Sequence, residues 1–399
     1  MKINLPENVT YIINKLSEAG FEAYAVGGCV RDSILGRIPG DWDITTSALP
    51  HEVKKIFPRT IDTGIEHGTV TVLTGHGTYE VTTYRIDGEY EDGRHPKKVE
   101  FTRSLREDLK RRDFTINAMA YNDEEGLVDL FEGEEDLNRK CIRCVGNPDE
   151  RFDEDALRIL RAVRFSAQLG FEIESETRNA IMRHAAHLSA VSKERIYTEI
   201  NKLICSPHME EIETVHELML SDYIAKGFGE LKAIEAVLPQ TDITNRYIRY
   251  AYLARGMEED RIKKMLRELK ADNDTIKGAS LLGSIVMEVL PTDRYELKKV
   301  IGKIGREYFT DLLTMKEVLS GMESVKLQRE LYEDITVRKE PIVLKDMPVD
   351  GKVAMELGIK AGPHLGEILN GLLDDVRRNP GHNTKEYLTG LIRKEAENG

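Results

Sequence analysis

Gly27-Gly28-Cys29-Val30-Arg31-Asp32, followed by Gly40-Asp41-Trp42-Asp43-Ile44-Thr45-Thr46, is the stretch on which the fold turns. Residues 21–26, just ahead of it, read as a strand running into the double-glycine turn. A helix then opens at Val30-Arg31-Asp32, and Asp41 and Asp43 stand one residue apart on a second extended run. Side chains at i and i+2 on a strand share one face. Two carboxylates would therefore project together from the strand end, spaced for a hard divalent cation such as Mg2+. The glycines admit close backbone approach to a ligand, and the helix behind them would offer its positive dipole end to phosphate. Each piece recurs by chance in an acidic chain. The ordered set is what points to nucleotide chemistry.

Working outward, the first ~140 residues mix short strands and helices. Val9, Ile12, Ile13 and Leu16 fall on one face of an amphipathic helix that Gly20 stops. Residues 50–57 read as a helix with Pro50 in its first turn. Residues 69–74 and 78–85 are Thr/Val/Tyr-rich strands joined by Gly75-His76-Gly77, a hairpin signature. Glu80 on the second strand is a candidate third carboxylate, a solvated strand glutamate being the competing reading. Residues 86–98 are polar and charged, and read as a mobile loop.

From about residue 150 the pattern turns to helix after helix. Residues 200–224 and 261–269 fit helical periods, and Leu365, Ile368, Leu369, Leu372, Leu373 and Val376 form an apolar stripe ended by Asn379-Pro380-Gly381. No internal repeat and no His–Asp metal pair is evident in this half. The expected class is α+β: a small mixed-sheet head with helices, then an all-helical remainder.

The chain has 399 residues, 32% charged and 40% hydrophobic, which fits a globular protein of several domains. No apolar run reaches membrane-spanning length, and the first 20 residues lack the pattern of a signal peptide. Four cysteines in so long a chain argue for a reduced cytoplasm. Cys141-x-x-Cys144 has no second ligand pair after it, so packing is the expected role of both thiols. A net charge of −13 argues against indiscriminate nucleic-acid binding but allows a local basic track. Residues 103–112 and the arginines 158, 161 and 164 are candidates for that track.

Two further motifs carry chemistry. In Arg111-Arg112-Asp113-Phe114-Thr115-Ile116-Asn117-Ala118, arginine suits a triphosphate because its planar fork donates in pairs and stays charged. Asp113 would accept from a ribose hydroxyl. In Glu154-Asp155-Ala156-Leu157-Arg158, continuing to Arg161 and Arg164, a spacing of three would set Asp155 and the arginines along one helical ridge. A fixed carboxylate accepts from an amino group while a guanidinium donates to ring acceptors. Cytosine and adenine both offer an amino group beside an acceptor; uracil and guanine reverse that order. A carbonyl facing Asp155 would leave buried acceptors unpaired, and such mismatches discriminate strongly. The bland alternative is an Asp155–Arg158 salt bridge worth a few tenths of a kcal/mol.

These motifs, in this order, resemble the bacterial class II tRNA nucleotidyltransferases, the CCA-adding enzymes of the DNA polymerase β superfamily. The likeness rests on GGCVRD, GDWDITTSALP, YEVTTYR, REDLKRRDFTINAMA and RFDEDALRILRAVRF, and more weakly on KERIYTEINKL and LGIKAGPHLGEILNGLL. It implies a catalytic head (1–145), a neck (146–225), a body (226–310) and a tRNA-binding tail (311–399). It implies Asp41 and Asp43 as catalytic Mg2+ ligands, and Gly28, Arg31, Arg112, Asp155, Arg158, Arg161 and Arg164 as contacts to ATP or CTP. Residues 87–94 match the flexible loop that CC-only relatives lack or shorten. The expected partners are tRNA, ATP and CTP, with no membrane; the oligomeric state stays open, a homodimer included. The alternatives are an A-adding, CC-adding or poly(A)-adding relative, or an inactive RNA-binding protein on the same fold. The basic signature of poly(A) polymerases is not evident at Asp62-Thr63-Gly64-Ile65-Glu66-His67.

Overall fold

The structure, a computed structural model, describes residues 2–75, 77–87, 99–234 and 245–398. Its contacts divide the chain into two compact units, one running to Ala233 with Lys264–Ala271 added, the other taking Ile234–Lys263 and residues from Asp272 onward. The class is α+β, as expected: a mixed sheet with helices, then helices.

The first unit opens with helix α1 (Glu7–Glu18), which buries Val9, Ile12, Ile13 and Leu16. Gly20 follows with φ +87°, a left-handed value that glycine adopts without strain. Strands β1 (Ala23–Val26), β2 (Ile44–Thr46), β3 (Thr60–Gly64), β4 (Thr69–Thr74), β5 (Gly77–Thr83), β8 (Met119–Asn122) and β9 (Gly126–Asp129) form one sheet in the order 3-4-5-2-1-8-9. Helices α2 (Gly28–Ile34) and α3 (Pro50–Ile56) follow β1 and β2. The β2–β5 pair is parallel and the other pairs are antiparallel. Val70, Val72 and Val81 point into the core, the outcome of the Thr/Val alternation. The segment read as a loop at 86–98 lies almost wholly outside the described residues. At its two ends β6 (Arg85–Asp87) and β7 (Val99–Phe101) pair antiparallel.

After α4 (Leu105–Lys110) and α5 (Gly133–Arg139) come α6 (Pro148–Glu154), α7 (Leu157–Leu169), α8 (Ser175–His184) and α9 (Lys193–Ile204). Helix α7 is buried on nearly every side, Arg158 and Arg164 included. The helical run expected across 200–224 is broken. Helix α9 ends at Ile204, short helices cover Ile212–Glu217 and Ser221–Ile224, and Met219 between them has φ 56°. Pro207 lacks the backbone N–H that a continuous helix needs, and the left-handed Met219 ends the next turn.

The second unit is helical throughout its described residues. Its helix Pro363–Arg378 buries Ile368, Leu372, Leu373 and Val376 and ends at Asn379, as the stripe predicts. Those residues join Val349, Ala354, Leu388 and Ile392 in one core. Lys298, in the same unit, is fully buried, paired with Glu340 and donating to the Arg377 carbonyl at 2.8 Å. Desolvating a charge is costly unless it is both paired and hydrogen-bonded, and Lys298 meets both conditions. No helix among the described residues is long and apolar enough to cross a membrane.

Candidate active site

The glycine turn and the aspartates meet because β1 and β2 run antiparallel. Ala25 lies opposite Ile44, and the Val26 amide donates to the Asp43 carbonyl at 3.0 Å. Gly27 therefore follows directly at the side of Asp43. Its φ of +83° is a turn value that disfavours a side chain, and a Cβ there would lie 3.0 Å from an Arg112 Nη. Asp41 and Asp43 precede β2 instead of lying within it, since the strand starts at Ile44. The parallel pairing of Ile44 with Val81 carries the register on to Glu80 beside Asp43.

Both aspartates are exposed to solvent. The surrounding protein, followed by the Asp41 carboxylate, nonetheless raises the Asp43 carboxyl above its ordinary range; Arg112 opposes this and Glu80 adds to it. A carboxyl raised in this way is relieved by a divalent cation, and an all-oxygen donor set suits a hard one. Asp41 and Asp43 therefore fit a metal. Glu80 acts on Asp43 as a charge; as a set the three do not bring their ligand oxygens within 4.8 Å of one another.

The arginine motif is tied to this edge by a residue that sequence reading passed over. Asp108, fully buried, accepts from Arg111 Nε and Nη2 (3.0 and 2.8 Å), from Arg112 Nη2 (3.5 Å) and from the Thr45 hydroxyl (3.1 Å). Burial alone would raise its carboxyl; the two guanidiniums and these hydrogen bonds bring it below the usual range. Asp108 thus fixes Arg112 to the strand that follows the aspartates. The Arg112 Nε is buried without a hydrogen-bond partner, an orphaned donor of the kind an anion satisfies.

Asp113 departs from expectation. It is buried, accepting at Oδ2 from Arg161 Nε and Nη2 (2.8 and 2.5 Å) and at Oδ1 from Asn117 Nδ2 (3.0 Å) and its neighbour's amide (2.8 Å). Burial would raise this carboxyl too, but Arg161 and Asn117 hold it far below the usual range. With both oxygens so engaged, Asp113 is an anchor between the head and α7, and a ribose hydroxyl has a poor claim on it.

Arg31, Arg161 and Arg164 gather around Phe165, which the sequence reading left unnamed. Their guanidinium carbons lie 5.1, 5.4 and 3.8 Å from the ring centroid. Arg31 is buried and donates to Asn117 Oδ1 at 2.6 Å; Arg164 is buried and pairs with Glu199 at 2.5 Å. An aromatic face stabilises nearby cations, so Phe165 lowers the cost of crowding three positive charges.

Asp155 is not on the helix that carries Arg158. It sits in the extended link between α6 and α7 (φ −147°), where its Oδ1 accepts from the Leu157 amide at 3.0 Å. Carboxylates favour that position because it satisfies an amide the helix leaves open. The Asp155–Arg158 bridge is not what forms. Asp155 pairs with Arg195 of α9 at 2.7 Å. Arg158 pairs with Glu154 and donates to the backbone carbonyls of Arg151 (3.2 Å) and Arg111 (2.9 Å). Arg195 and Glu154 are thus supports that the motif spacing did not single out.

Two more expectations meet the structure here. Cys144 is buried and desolvation pushes its thiol up to about 12, as packing requires. No His–Asp metal pair was expected in the helical half, yet Asp153, His184 and His187 bring their ligand atoms within 4.8 Å of one another. Thirty-odd residues of sequence separate the aspartate from the histidines, and packing of α6 on α8 removes that separation.

Residues 23–143 match the family model of the poly A polymerase head domain, and residues 170–233 match that of the probable RNA- and SrmB-binding site of polymerase A. The chain is 39% identical to the CCA-adding enzyme of Ligilactobacillus salivarius, over 97% of this chain and 96% of that protein. It belongs to the CCA-adding enzyme family. The CCA-adding enzyme of Geobacillus kaustophilus is 38% identical over 96% of this chain and 95% of its own length. A crystal structure of the Bacillus stearothermophilus CCA-adding enzyme in complex with CTP superposes with a TM-score of 0.81 at 32% identity, covering 98% of this chain and 97% of that one. Membership makes this chain a nucleotidyltransferase and implies use of a divalent metal.

Proposed function

We propose that the protein adds C, C and A in turn to the 3′ end of tRNA, drawing on CTP and ATP and releasing pyrophosphate, with side chains in place of a template. The observation that carries this reading is the meeting, in one unit, of the Asp41/Asp43 edge, the arginine cluster around Phe165 and the braced Asp155/Arg158 pair. We assign Asp41 and Asp43 to Mg2+ as the catalytic carboxylates. Gly28, Arg31, Arg112, Arg161 and Arg164 then contact the nucleotide, and Asp155 and Arg158 read its base. The four-part division into head, neck, body and tail, with tRNA held by the tail, belongs to the same proposal, as does a cytoplasmic location.

When bound, Mg2+ would lower the pKa of the terminal 3′-hydroxyl and neutralise charge on the leaving pyrophosphate. The remaining work falls to the chain. Gly27 and Gly28 leave room for phosphate oxygens against the backbone, and the orphaned Arg112 donor faces the same edge. Asp155 uses one acceptor site on Leu157 and one on Arg195, and a carboxylate has about four, so it can still take an amino group of cytosine or adenine. The guanidinium plane of Arg158 is held by Glu154 and by the backbone carbonyls of Arg151 and Arg111, which supports reading from a fixed geometry.

Purified protein incubated with tRNAs ending at the discriminator base, at C and at CC, with each labelled nucleotide separately, tests the reading. Extension of all three to CCA is expected. Extension of the CC-ended tRNA alone would make it an A-adding enzyme, and long adenylate tails a poly(A) polymerase.

A further inference from the structure

At the far end of α6 from its Pro148 start, Asp153 faces the two histidines that close α8. His184 is the last residue of that helix, and His187 follows in the 3-10 turn Ala185–Ala190. Residues three apart in a 3-10 turn stack over one another, which brings the two rings to a centroid separation of 5.0 Å. The result is three ligand atoms at the corners of a small triangle. His184 Nδ1 lies 3.1 Å from Asp153 Oδ1, His187 Nδ1 lies 3.5 Å from that oxygen, and the two Nδ1 atoms are 3.5 Å apart.

Those three lengths match one face of a tetrahedron. A zinc-like ion with bonds of about 2.0–2.1 Å sets its ligands about 3.3 Å from one another. A second feature is independent of the triangle. His184 Nε2 lies 2.9 Å from Asp149 Oδ1, and Arg183 holds Asp149 with two further contacts of 3.0 and 2.9 Å. A carboxylate on one ring nitrogen fixes the tautomer and turns the lone pair of the other outward, the arrangement that metal-ligating histidines show. His184 is also held by its ring contact with Phe152, centroids 6.3 Å apart. The lone pair of Nδ1 then points at a carboxylate oxygen and a second imidazole nitrogen. A proton on one imidazole or a cation among the three would satisfy such converging acceptors, and the near-tetrahedral spacing suits the cation.

We propose that Asp153, His184 and His187 form a binding site for a divalent transition metal of the Zn2+ class, with Asp149 as the positioning carboxylate behind His184. Two imidazoles and one carboxylate leave a fourth position to water, and half-exposed Asp153 and His187 give the ion its entry path. Nitrogen donors separate this site from the all-carboxylate Asp41/Asp43 edge, which suits harder cations. Occupancy would staple the last turn of α6 to the end of α8, two residues before Asp155.

The test is titration of metal-stripped full-length protein with Zn2+, in millimolar Mg2+ to fill the carboxylate edge, read by competition with a chromophoric chelator. Co2+ serves in parallel for its visible spectrum. The expected results are one Zn2+ bound per chain, a tetrahedral Co2+ band, and a higher Tm with Zn2+. His187→Ala and Asp153→Asn, both at exposed positions, should lose the band and the Tm rise. Asp149→Asn should keep the stoichiometry and weaken binding about 10- to 100-fold. Absence of Zn2+ binding under Mg2+, or equal binding by wild type and His187→Ala, would overturn the proposal.

Discussion

At the start of β2 Asp43 lies beside Asp41 and Glu80, and its carboxyl is raised; at the α6–α7 junction Asp155 is matched with Arg195 and Arg158 with Glu154. The first arrangement is electrostatically incomplete until a cation arrives. The second is complete before any ligand comes. That difference follows from the two tasks proposed for them. A metal site must prefer the ion to its own empty state, whereas a site that reads base edges must keep its donors and acceptors in place while nucleotides exchange.

The comparison is broken most severely at the incomplete end. Asp41→Ala or Asp43→Ala should lower nucleotide transfer at least about 1000-fold, some 4 kcal/mol of barrier, while the fold survives. Single-turnover incorporation with labelled CTP measures the first and circular dichroism the second. Parental rates in either variant would remove the metal assignment.

Next in size is the anchor that joins head to α7. Asp113→Ala leaves the Arg161 guanidinium without its partner and should cost about 3–5 kcal/mol in urea unfolding. Because the folded-state carboxyl of Asp113 is lowered, its contribution is present above the unfolded value of about 3.9 and lost as pH falls below it. Wild type and variant should therefore converge in stability in acid and differ at neutral pH.

Smaller again is the brace behind the base reader. Arg195→Ala should cost about 1 kcal/mol or less of stability, since both partners are partly exposed. It should nonetheless reduce the preference of kcat/KM for CTP over UTP by about 10-fold, a readout that a purely structural role would leave alone. Asp43→Asn should give the smallest effect, a slight rise in Tm for the metal-free protein. The sign follows from the raised carboxyl: ionisation disfavours the folded state once pH exceeds the ordinary value, so removing the charge helps at pH 7 and does nothing in acid. A fall in Tm would show that Asp43 is compensated after all.

What was legible in the sequence was local. Helix α1 with its buried stripe, the hairpin strands, the glycine turn beside the aspartates and the helix Pro363–Arg378 all follow from periodicity and turn chemistry. The residues proposed for the site could be named because their motifs are short and ordered. Their partners were not. Arg195 is forty residues from Asp155, Phe165 needs α7 to face Arg31, and the role of Asp108 shows only once burial pairs it with Arg111 and Arg112. The error over Asp155 has the same origin: a spacing of three implies a shared helical face only where the helix is continuous, and here it starts at Leu157. The metal-like triangle at His184 was hidden by separation along the chain, since only packing reveals it.

The central claim is that a carboxylate and a guanidinium stand in for a complementary base. Its most direct measurement is kcat/KM for CTP and for UTP on a C-ended tRNA, with wild type and Asp155→Ala. Loss of the amino-group acceptor should lower CTP use and narrow the CTP/UTP ratio at least about 100-fold. A ratio that stays at the wild-type value while the protein remains folded would contradict the account.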